Sequence, residues 1–112
     1  MAGREYGIRL TVIGSDTLLF LDRLTSRDER GRRGHEVVAA AHAPPIPTGH
    51  QLAFGVCRAR KQLDSRIVAV VRSEDTPFYT SVAAAWRADV TTSRFEPIPV
   101  AGIDCENEGW GE

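Results

Sequence analysis

Three histidines, His35, His42 and His50, and two cysteines, Cys57 and Cys105, are the scarce side chains of this sequence that can, with its carboxylates, ligate a metal, move a proton or form a sulfur bond. His42 and His50 flank a proline segment, and with Cys57 they make three nitrogen and sulfur donors of the kind zinc prefers. Seven residues separate the two histidines and six separate His50 from Cys57, spacings that match no common ligand motif. No metal site and no cofactor are therefore expected, and the histidines read as capping and surface residues.

The cysteines admit one pairing, Cys57 with Cys105. A disulfide would close a loop of nearly fifty residues and fix the C-terminal segment onto the rest of the fold. The alternative is two reduced thiols acting as small buried hydrophobes. Catalysis by Cys105 is disfavoured, because Asp104, Glu106 and Glu108 surround it with negative charge that keeps a thiol protonated. No GxSxG elbow is present, and GRRG and GHQLAFG lack the spacing of phosphate or dinucleotide loops. The tail DCENEGWGE resembles a calcium loop in composition alone, since its acids are not at EF-hand spacing. No catalytic residue is assigned.

These groups sit on a chain of 112 residues, 42% hydrophobic and 26% charged, which bounds it to one globular domain over residues 1–112. A net charge of −1 argues against nucleic acid or an anionic membrane surface as partner, and no apolar run is long enough to span a bilayer. The average hides an asymmetry. Residues 1–66 carry eleven Arg or Lys against seven acids, and residues 67–112 carry three against eight. From Glu96 onward five acids meet no basic residue, which reads as a solvated tail or as a site for a basic partner. The opening MAGREYGIRLTV lacks a signal-peptide pattern, so a cytoplasmic location is expected as written, with a periplasmic or secreted one if a leader has been removed.

The elements that must position these residues are mostly strands. Tyr6–Ile13 alternates apolar and polar residues as a half-buried strand does. Thr17–Leu24 satisfies either period, and its closeness to the turn at Gly14–Asp16 favours a strand over a helix. The polar run Thr25–Gly34 predicts a long exposed loop, and Glu36–Ala43 a strand of small residues ended by Pro44. Ala43–His50 predicts an extended connection, Leu52–Arg58 a strand, Arg58–Ser65 a charged turn and Ile67–Val71 a central strand covered on both faces. Pro77 after Thr76 suggests a helical turn, so Pro77–Arg87 stays open between helix and strand, although the hairpin pattern WRAD, VTTS, RFEPIP accounts for more residues. The expectation is a mainly β, single-domain antiparallel protein of six to eight strands, a curled sheet or small sandwich, with at most one or two short helices.

The function expected from this pattern is non-enzymatic binding through the C-terminal hairpin and acidic tail. Trp86, Arg87, Glu106, Glu108 and Trp110 would be exposed near one another, the aromatics supplying contact area and the acids selecting a basic protein partner. Trp110 either packs back onto the sheet or forms an exposed anchor. A competing expectation is a small hydrolase or ligand-binding enzyme using His42 or His50 with a nearby aspartate in a cleft beside the prolines. A third is a structural homodimer formed through an uncovered sheet edge.

Overall fold

The computed structural model describes residues 6–27, 29–31 and 33–111, which form eleven strands in three antiparallel sheets with no helix among them. The first sheet is β1 (Tyr6–Ile13), β2 (Asp16–Arg27) and β3 (Arg33–His42), in that spatial order. Ile13 pairs with Asp16, so only Gly14 and Ser15 lie in the turn, and Gly14 takes the positive φ of 62° that a tight hairpin turn asks of its first residue. This turn returns the chain directly onto β1. Thr17–Leu24 is therefore strand, as its position favoured.

The exposed loop expected at Thr25–Gly34 is much shorter. Strand pairing runs on to Arg27 opposite Arg33, with register shifts after Leu21 and Leu24. Backbone ladders need no apolar side chains to continue at the far end of a hairpin, so polarity alone does not stop a strand. Asp28 and Arg32, part of the charged run read there, lie outside the described residues, as do residues 1–5 and 112.

An extended stretch over residues 43–49 carries the chain to β4 (His50–Phe54). The single strand expected over Leu52–Arg58 is instead two. It breaks at Gly55, whose φ of 80° turns the chain out of the sheet, and restarts as β5 (Cys57–Ala59), which folds back on β6 (Gln62–Leu63). The connecting pair Arg60 and Lys61 both have positive φ, 52° and 68°, and the Arg60 N–H donates to the Gly102 carbonyl at 2.9 Å. Thus the expected charged turn is a miniature hairpin held by a neighbouring loop.

The second half adds β7 (Ile67–Arg72), β8 (Phe78–Tyr79), β9 (Val82–Asp89), β10 (Arg94–Ile98) and β11 (Ile103–Glu106). No helical turn forms at Pro77. The Thr76 hydroxyl donates locally to the Phe78 carbonyl at 2.8 Å, and the Pro77 carbonyl accepts the Asn107 N–H of the tail at 3.0 Å. The expected hairpin is present, with Trp86 opposite Pro97.

The second sheet has the order β10-β9-β7-β4 and the third β6-β5-β11-β8. Sequence pattern explains why the second lies in the middle. Ile67 to Val71 are all buried, so β7 needs cover on both faces. Ile67, Ala69 and Val71 pack with Ala85, Ile103 and the two cysteines of the third sheet. On the opposite face Ala88 and Phe95 pack with Leu21 and Ala39 of the first sheet. Cys57 and Cys105 are directly opposite each other on β5 and β11, fully buried, and joined as a disulfide. The reduced alternative is not the one adopted.

Candidate functional site

The first and second sheets do not close completely over one another. Leu19 and Ala41 on one side face Val68, Trp86 and Phe95 on the other, and between them lies a cleft of about 350 Å³. Its rim is the end of β3 at His42 and the start of the extended connection, Ala43, Pro44 and Pro45. Local sequence accounts for each wall. Proline cannot donate to a ladder, so β3 ends at His42 and the chain bridges the gap without adding a strand. The small residue Ala41 keeps the floor low, and the register Val68 opposite Trp86 sets the indole beside the deepest strand of the fold. Trp86 is half-buried there. Apart from His42, every lining side chain is apolar.

A second cleft, about 400 Å³, shares His42, Ala43 and Pro44 and continues toward Leu10, Ile46 and Leu52. Asp16 also lines it, which puts a carboxylate and a histidine on one concave surface. No hydrogen bond joins His42 to a carboxylate among the described residues. His50 lies with its Nδ1 3.1 Å from the Thr48 carbonyl, and His35 is exposed on β3. Among the described residues no group of three or more His, Cys, Asp or Glu could hold a metal ion, and no helix is long and apolar enough to cross a membrane.

The five residues expected to share one surface occupy four places. Trp86 lines the first cleft. Arg87, its neighbour on β9, points to the opposite face of the sheet, where its Nε donates to Asp64 at 2.8 Å. Glu106 and Glu108 line a third groove, about 410 Å³, with Leu52, Phe54 and Tyr79. Trp110 follows on the terminal turn, its N–H donating to the Asn107 carbonyl at 3.1 Å and the residue 49% exposed. Trp110 thus takes the exposed alternative. The turn itself is anchored, because the Asn107 side chain donates to the Thr76 carbonyl at 3.0 Å.

Two arginine clusters lie on the outer faces of the layers. Arg9 reaches Asp22 at 2.7 Å and stacks over Phe20. Arg58 grips Asp104 with two bonds of 2.7 Å and lies 3.9 Å over the Phe78 ring. In both cases the hydrogen bond to the carboxylate raises the guanidinium pKa above its already high value. A cation already bound to a carboxylate and a ring is a structural clasp, not a group waiting for a ligand.

Sequence pattern pointed to Trp86 and missed the rest of the cleft. Leu19, Ala41, Val68 and Phe95 come from four strands, and only the register of long-range pairs brings them together. The one local signal was the proline run following a strand of alanines. Comparison with known proteins finds no matching family model, no similar curated protein and no similar solved structure.

Proposed function

We propose that this is a non-enzymatic binding protein, and that the proline-rimmed cleft takes a small, uncharged, ring-bearing molecule. The observation that carries this reading is Trp86, a large aromatic held half-buried on a strand beside the central one, facing an apolar cleft of about 350 Å³. That volume falls in the range of about 300–1,000 Å³ typical of small-molecule sites, and an apolar lining with few polar groups is their usual chemistry. A charged ligand is disfavoured, because burying its charge here would leave it without a partner. Binding rather than catalysis is supported by the same lining, in which only His42 can exchange a proton. The disulfide supports an oxidising compartment, periplasmic or extracellular, as the place of work.

The test uses N-phenyl-1-naphthylamine, a neutral aromatic probe, with Trp110→Phe protein so that Trp86 alone reports. Saturable quenching of Trp86 with probe emission is expected. Ala41→Phe, which fills the cleft, should weaken binding by at least about tenfold. Equal affinity in the folded Ala41→Phe protein would put the probe elsewhere and end this proposal.

A further inference from the structure

The outer edge of the second sheet is β4, and one side of that strand has no neighbour in the sheet. Which backbone groups face the open side follows from the ladder. The Ser73 N–H donates to the Gly49 carbonyl at 2.8 Å, one step before His50 meets Arg72 in the same register. Bonded and non-bonded pairs alternate along an antiparallel ladder, so Gln51 and Ala53 direct their amides and carbonyls to β7 while His50, Leu52 and Phe54 turn theirs outward. The His50 N–H is taken by the Pro47 carbonyl at 3.1 Å, in agreement with this alternation. Leu52 and Phe54 have no backbone partner at that edge among the described residues.

Grooves flank this edge on both faces of the sheet. Toward the first sheet lie Leu10 and Ile46, each 42% exposed, lining one groove with Leu52. Toward the third sheet lie Tyr79 and the exposed carboxylates Glu106 and Glu108, lining the other. No basic residue follows Arg94 in the sequence, and Arg58, whose charge reaches Glu106, is itself engaged by both oxygens of Asp104.

We infer that β4 accepts an extended peptide as a further strand, and that the peptide alternates apolar and basic side chains. Side chains of a strand point alternately to its two faces, so one set enters the Leu10 and Ile46 groove while the other meets Glu106 and Glu108. The outward backbone groups of Leu52 and Phe54 supply the affinity common to any strand, and the two grooves supply the selection. One groove of this surface meets the Trp86 cleft at the rim residues His42, Ala43 and Pro44, but the test does not depend on that cleft binding anything.

A fluorescein-labelled hexapeptide alternating valine and arginine, titrated by fluorescence anisotropy, tests the inference. Saturable binding is expected, weakened by at least about tenfold in Glu106→Gln/Glu108→Gln protein. The decisive comparison alters the peptide and leaves the protein intact. N-methylation of alternate peptide residues in one parity removes the donors that face β4 and should abolish binding, while methylation in the other parity should not. Binding indifferent to methylation would show charge attraction alone and overturn the inference. So would a chain that dimerises with concentration and keeps the dimer at saturating peptide, because the edge would then belong to a second copy.

Discussion

Asp22 is the only charged residue in the buried class among those described, at 3% exposure, and the Arg9 guanidinium is its hydrogen-bonding partner. The two differ in what their loss leaves behind. Arg9→Ala strands a buried carboxylate, whereas Asp22→Ala frees a guanidinium whose side chain is already 46% exposed to water. Arg9→Ala is therefore expected to lower the urea midpoint more than Asp22→Ala, and the reverse order would contradict the assignment. Because the folded-state pKa of Arg9 is raised, its contribution is fully present below the unfolded value and is lost only as pH rises through the folded one, in strong alkali. The alternation of Tyr6–Ile13 placed Arg9 on the polar face from sequence alone. Its partner was not legible, because only the hairpin register brings a residue thirteen positions away within reach.

At the scale of elements, legibility followed strand length and period. Tyr6–Ile13, Ile67–Val71 and the Trp86 hairpin were readable as strands because alternation, or five apolar residues between polar flanks, carries a signal that neighbours do not override. The half-buried face expected of Tyr6–Ile13 nonetheless extends only to Ile8, with Leu10, Val12 and Ile13 exposed at the hairpin end. The third sheet was not. Its strands are two to four residues long, too short for any period, and two of them sit where the sequence suggested a charged turn and a helical start. What holds so short a sheet is the disulfide bridging β5 and β11 across a separation of 48 residues. Loop-closure entropy assigns such a link about 4 kcal/mol. Urea unfolding of oxidised against dithiothreitol-reduced protein should show a loss of that order, and matching midpoints would mean the third sheet stands without its bond.

At the scale of the whole molecule, three layers stack with the second sheet in the middle, and all three clefts lie where adjoining layers fail to seal. The mainly β class was legible, since it rests on many short alternating segments with turn residues between them. The site was not, because clefts at layer junctions are set by which strands meet. The acidic bias of the C-terminal half has a consistent place in this arrangement. Glu106 and Glu108 stand over an open strand edge, while the sheet interfaces are apolar. The central claim is that the proline-rimmed cleft is the binding site. The most direct measurement is an amide and side-chain NMR titration of the intact oxidised protein with N-phenyl-1-naphthylamine. Saturating shifts are predicted at Leu19, Ala41, Val68, Trp86 and Phe95, with the Trp110 indole unmoved. Shifts confined to Trp110 and the terminal turn, with Val68 and Trp86 unperturbed, would contradict it.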